Sequence, residues 1–156
     1  MKKLLYLPFL ILLLLSACQK KEDKTPESTP ENQLSMKVDG KLQVLPVSTS
    51  WLTPPDETIL IIEAGSSTLN SGLYQMYIQS DISPGFHEYG ASVQPVISFD
   101  FYKDNKTYDA YDGTFHILSN DPVARRIEFQ FQIKLYNVNF PSDHYEITEG
   151  HVIANY

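Results

Sequence analysis

Residues 126–138 read RIEFQFQIKLYNV. Ile127, Phe129, Phe131, Ile133 and Leu135 fall on one parity, and Glu128, Gln130, Gln132 and Lys134 fall on the other. Successive side chains of a strand point to opposite faces, so this alternation predicts a strand with one buried face. A slip of one residue would bury the amides and charges and expose the aromatics, so the register is firmly specified.

The same two-residue period recurs outward from this stretch. Ile97, Phe99 and Phe101 alternate with Ser98 and Asp100, and Tyr74, Met76 and Ile78 alternate with Gln75 and Gln79. Tyr145 and Ile147 alternate with His144 and Glu146, and Gly150 predicts a bulge or bend before Val152, Ala154 and Tyr156. Ile59–Ile62 is apolar at every position, which predicts a central strand or one covered on both faces. A helical period is almost absent.

Turn signals divide the runs. Asp39-Gly40 separates Leu34–Val38 from Leu42–Val47 as a hairpin signal. Asp104-Asn105 links Val96–Lys103 to Thr107–Tyr111, Asp112-Gly113 precedes Thr114–Leu118, and Asn120-Asp121-Pro122 precedes the long strand. Ser83-Pro84-Gly85 breaks the middle, while Ser48–Glu57 and Gly65–Gly72 read as irregular connections. About nine short strands with regular turns predict an all-β domain over residues 33–156. An antiparallel β-sandwich is favoured, with an up-and-down β-barrel as the alternative.

The N-terminal segment has a different character. Lys2 and Lys3 precede an apolar run, Leu4–Leu15, too short to cross a bilayer core of about 30 Å as a helix. This pattern fits an export signal over residues 1–17. The run ends Leu15-Ser16-Ala17-Cys18, which resembles the bacterial lipobox, where the cysteine thiol takes a diacylglycerol. Cys18 is the only cysteine, so no disulfide forms within the chain, and lipid on Cys18 is the expected attachment to the membrane. Two or more acyl chains give stable anchoring. Gln19 follows Cys18 where Asp would favour inner-membrane retention, so outer-membrane sorting is expected by analogy. Lys20, Lys21, Glu22 and Asp23 resemble the surface-export signal of Bacteroidota lipoproteins, against the plainer reading of a solvated tether. Residues 24–32, KTPESTPEN, carry no hydrophobic side chain and are expected to remain a disordered spacer.

Composition narrows the partners. The formal charge is −7, and losing Lys2 and Lys3 with the leader takes it to −9. Nucleic-acid affinity is dominated by cationic contacts to phosphate, so this balance argues against a nucleic-acid partner.

A set of short motifs resembles the small Bacteroidota lipoproteins of unknown function. They are Met36-Lys37-Val38-Asp39-Gly40-Lys41 at the first hairpin, Ser83-Pro84-Gly85 before Phe86, and Asp112-Gly113-Thr114-Phe115-His116-Ile117. The Ile127–Leu135 strand and the closing Ile147-Thr148-Glu149-Gly150 with Val152, Ala154 and Tyr156 complete the series. Glu128 and Val152 depart from the family pattern, which has Gly and Phe there. The resemblance covers most of 36–156 and implies an all-β lipoprotein; it brings no activity and no catalytic residues.

Chemistry-bearing residues are sparse. His87, His116, His144 and His151 show no strong metal-ligand spacing. Asp100, Asp104, Asp109 and Asp112 crowd one predicted hairpin but do not match an EF-hand loop, so a solvated acidic edge is the plainer reading. Gly65-Ser66-Ser67 lacks the frame of a nucleophile elbow. No catalytic residue, metal site or cofactor is assigned. Tyr77, Tyr102 and Tyr136 fall on the polar parity of their strands, and with Trp51 they are the candidate ligand-contact aromatics, against the reading that a second layer buries them. Trp51, beside Pro54-Pro55, is expected to plug one end of the fold. The expected function is a surface-exposed, non-enzymatic outer-membrane lipoprotein that binds a glycan or envelope protein, or supports an envelope assembly. The alternatives are a periplasm-facing structural lipoprotein and a metal-dependent hydrolase.

Overall fold

A computed structural model describes residues 32–52, 59–66, 72–89 and 97–156. The leader, Cys18, the export residues Lys20, Lys21, Glu22 and Asp23, and the spacer lie outside the described residues. The strands are β1 (Gln33–Val38), β2 (Lys41–Trp51), β3 (Ile59–Ser66), β4 (Gly72–Gln79), β5 (Gly85–Tyr89), β6 (Ile97–Lys103), β7 (Lys106–Asp121), β8 (Arg126–Asn137) and β9 (His144–Asn155). No helix occurs among the described residues.

Every pairing is antiparallel, and the sheet closes. Neighbours run β1-β2-β3-β4-β6-β7-β8-β9, and β9 returns to β1, with Gln33 opposite Ile153 and Val38 opposite Ile147. The all-β class stands as expected, with nine strands among the described residues, but the favoured sandwich is corrected: the sheet closes on itself, and the alternative, a barrel, is adopted. β5 and β6 lie one after the other along the same edge of β7: β5 meets Gly113–Ile117 and β6 meets Lys106–Asp109. Eight strands leave an interior that side chains can fill. Here Tyr74, Phe99, Phe101, Phe115 and Phe129 are buried inside, joined by Leu34, Met36, Ile62, Leu135 and Val152. Tyr74 stacks on Phe101 with centroids 4.4 Å apart, and Phe115 stacks on Phe131 at 5.7 Å. Within β8 the inward and outward parities are those of the alternating pattern, with Ile127, Phe129, Phe131, Ile133 and Leu135 buried. The wall of β8 is thus polar outside and apolar within, the reverse of a transmembrane barrel.

Local chemistry sets the corners. Asp39 and Gly40 have φ of 47° and 77°, and Asp104 and Asn105 have 53° and 59°. Two consecutive positive φ values make the turn that matches strand twist in a two-residue hairpin. At β8–β9 the buried Asn137 accepts hydrogen bonds from the backbone N–H of Asn139 and Phe140, at 2.9 and 3.0 Å, which holds the loop.

Two local expectations are corrected. Asp112-Gly113 is not a turn: β7 runs unbroken from Lys106 to Asp121, with an irregularity in register between Ala110 and Asp112. Glycine is needed at 113 because a Cβ there would fall 2.5 Å from the carbonyl oxygen of Gln132. β2 extends through Trp51, so Ser48–Trp51 are strand and not part of an irregular connection; residues 53–58 lie outside the described residues. For Ile59–Ile62 the central-strand reading holds, since β3 pairs with β2 on one edge and β4 on the other; it is not covered on both faces, because Leu60 and Ile62 are buried while Ile59 and Ile61 are half-buried on the outer wall. The irregularity expected near Gly150 is a bulge, in which Thr148 and Glu149 of β9 together face Gln132 of β8.

Candidate functional site

The outer wall carries a row of polar side chains that register alone brings into line. Glu63 of β3 is opposite Gln75 of β4, Gln75 is opposite Asp100 of β6, and Asp100 is opposite Asp109 of β7. Asp109 is in turn opposite Tyr136 of β8, and Tyr136 is opposite His144 of β9. Directly opposed positions place Cβ atoms about 4.5–5.5 Å apart, so these side chains interact across the strands. The Gln75 amide donates to the Glu63 carboxylate.

Tyrosines flank this row. Tyr77 is paired with Ser98 and Tyr102 with Thr107, both outward and half-buried. The Tyr77 hydroxyl donates to Gln75 Oε1 at 3.4 Å, and the Tyr102 hydroxyl donates to Asp100 Oδ2 at 3.5 Å. Tyr89 reaches in from β5 to hydrogen-bond Ser98. Tyr111 meets Tyr136 edge-on, with centroids 5.6 Å apart. Tyr77, Tyr102 and Tyr136 therefore share one outer face, as their parity predicts. Tyr111 joins them, and Tyr89 borders the face while also packing on the core; the sequence reading did not single those two out.

The electrostatics follow from partial burial. Desolvation, then the neighbouring charge of Asp109, pushes the Asp100 carboxyl above the ordinary carboxylate range. Desolvation first, and the nearby Asp100 next, also raises the Tyr77 and Tyr102 phenols. These hydroxyls remain protonated donors at neutral pH beside strong carboxylate acceptors. An aromatic face with interleaved donors and acceptors is suited to stacking and hydrogen bonding with a polar ligand.

The remaining candidates disperse. Asp112 pairs with Lys134 at 2.8 Å, which holds its carboxyl below the usual range. Asp104 occupies the β6–β7 turn. His87 lies 3.0 Å from the Ser83 carbonyl, His144 lies 3.0 Å from the Ser142 carbonyl, and His151 lies 3.0 Å from Glu128. Among the described residues, no three His, Cys, Asp or Glu side chains converge in a metal-binding group. Trp51 stands apart from the tyrosines. Its ring meets Tyr156 edge-on at 5.4 Å, and it packs on the core at the end of the barrel where β9 finishes.

The chain matches no protein-family model, and neither the curated proteins nor the solved structures contain a match to it.

Proposed function

We propose that this chain is an outer-membrane lipoprotein, anchored through lipid on Cys18 and displayed at the cell surface, where its barrel acts as a non-enzymatic binding module. The observation that carries the binding role is the single outer face formed by Tyr77, Tyr102 and Tyr136, with Asp100 and Asp109 between them. Tyr77, Tyr102, Tyr111 and Tyr136 lie on the outside of a barrel whose interior is already filled, so the core does not need them. Anchoring is supported by the Leu15-Ser16-Ala17-Cys18 run, and display by Lys20, Lys21, Glu22 and Asp23. The resemblance to small Bacteroidota lipoproteins agrees with both. Geometry suits a tether as well: Asn32 lies beside the last residues of the barrel, with the Asn155 N–H bonded to Asn32 Oδ1 at 2.6 Å. A spacer joined there leaves the β6–β7 and β8–β9 turns at the opposite end.

Protease shaving of intact cells tests the reading. The native domain is expected to be digested, and a form with Lys20, Lys21, Glu22 and Asp23 all changed to Ala is expected to be protected. Protection of both forms would place the domain in the periplasm and overturn surface display. A Cys18→Ser form is expected to lose lipid and leave the membrane fraction.

A further inference from the structure

A second feature of the outer wall lies along β8. Three depressions follow one another over its outward side chains. The first, of about 500 Å³, is lined by Phe86, His116, Gln130 and Gln132, among others. The second, of about 290 Å³, shares Thr114 and Gln132 with the first and continues to Lys134 and Glu146. The third, of about 370 Å³, is bounded by Tyr111, Tyr136, Pro141 and His144. Gln130, Gln132, Lys134 and Tyr136 are successive outward positions of one strand. Six residues of strand span about 20 Å, so the depressions form a track and not a single cup.

The lining identifies a chemistry. At one end Phe86 is 79% exposed, and its ring lies flat on His116 with centroids 4.0 Å apart and planes 9° from parallel. Its other face is open. The Gly150 bulge leaves the wall without a Cβ above the Phe131 ring, so the floor of the first depression is apolar. At the other end, Tyr111 and Tyr136 offer a second aromatic surface. Between them the amides of Gln130 and Gln132 make no hydrogen bond to any described residue, and each can both donate and accept. The single cation in the middle, Lys134, is neutralised by Asp112.

Other extended ligands fit poorly. An extended peptide is held by main-chain bonds to a free sheet edge, but β8 is paired along both edges, to β7 and to β9. A polyanion is repelled by Glu146, Glu149 and the net charge of −7. An acyl chain would have to cross an ion pair. A neutral chain of sugar rings meets each requirement, because its C–H faces stack on aromatics and its hydroxyls both donate and accept.

We infer that the outer face of β8 is a binding track for a linear neutral oligosaccharide several rings long, clamped by Phe86 on His116 at one end and by Tyr111 and Tyr136 at the other. The inference rests on the reading of the chain as a binding module and names the ligand class.

Native-gel retardation tests it, using the detergent-solubilised full chain in gels containing β-1,4-glucan, xylan, β-1,4-mannan, amylopectin or dextran, with polygalacturonate as the acidic control. At least one neutral polymer is expected to slow the protein, and the acidic control is not. For oligosaccharides of that polymer, affinity is expected to climb with chain length and then level off. Phe86→Ala and Tyr136→Ala are each expected to weaken binding about tenfold, the scale of one lost aromatic contact. Leu42→Ala, on the outward side of β2, is expected to leave binding unchanged. Phe86 is too exposed for its loss to disturb the core. Retardation by no neutral polymer, indifference to both aromatic substitutions, or no gain beyond a disaccharide would each overturn the inference. Shaving reads where the domain sits and retardation reads what it holds, so surface display and glycan binding can fail independently.

Discussion

Asp100 of β6 stands directly opposite Asp109 of β7 on the outer wall, two carboxylates at one rung of the ladder. Burial and the facing charge raise the Asp100 pKa in the folded protein. The folded state therefore holds a proton more tightly than the unfolded chain, and stability falls as pH rises from the unfolded value through the folded one. At neutral pH the ionised Asp100 opposes folding. Asp100→Asn is expected to raise Tm at pH 7 and to leave it unchanged near pH 3, where both forms are neutral. A variant less stable than the native protein at pH 7 would contradict this account.

Gly150 and Phe131 define a contact with no slack. A Cβ at residue 150 would fall 2.5 Å from the Phe131 ring, which is itself packed against Phe99 and Phe115. Gly150→Ala is expected to cost about 1–3 kcal/mol, the range for overpacking a tight core. Adding Phe131→Leu to Gly150→Ala should cost less than the sum of the two single changes in a denaturant-based double-mutant cycle. Strict additivity would mean that the ring is not what meets the new methyl.

Tyr74 places its hydroxyl inside the barrel, where it donates to Gln43 Oε1 at 3.1 Å. Burial drives its pKa far above the ordinary phenol value. Tyr74→Phe removes the donor and leaves the Gln43 acceptor without its partner, which is expected to cost about 1 kcal/mol in urea unfolding. Removing both polar groups, as Tyr74→Phe with Gln43→Met, should recover most of that loss, because the penalty belongs to the orphaned acceptor.

Trp51 is the only tryptophan, and it seals the end of the barrel against Tyr156. Its emission should shift to longer wavelength in the same urea transition that far-UV circular dichroism reports, as one cooperative unit requires. An emission change that precedes the loss of strand signal would show that this end opens by itself.

Local pattern made much of the wall legible. The parity of Ile127–Leu135 assigned inside and outside across β8, and the parity of Tyr77, Tyr102 and Tyr136 assigned them to one face. Phe86 carried a signal that went unread, since it shares its parity with the exposed Glu88. Asp112-Gly113 misled because aspartate-glycine favours turns, whereas here the glycine serves close approach to Gln132 within a strand. Closure into a barrel had no local signature. It depends on Gln33 meeting Ile153, a pairing across nearly the whole domain that no window of sequence contains. The opposition of Asp100 and Asp109 was visible only as crowding, because it needs the register of two strands as well as their parity.

The pairing of β1 with β9 also sets the order of events as the chain is made. The chain emerges with β1 first and β9 last, so β1 keeps one edge open until the 12 residues of β9 appear. Up to that point the nascent sheet is a curled ribbon with two unsatisfied edges, able to take up a neighbouring chain in place of its own missing strand. Closing the ring is a long-range step, and such steps slow folding. A chain cut short before β9 would therefore be an adhesive sheet with nothing to stop it pairing with the next copy.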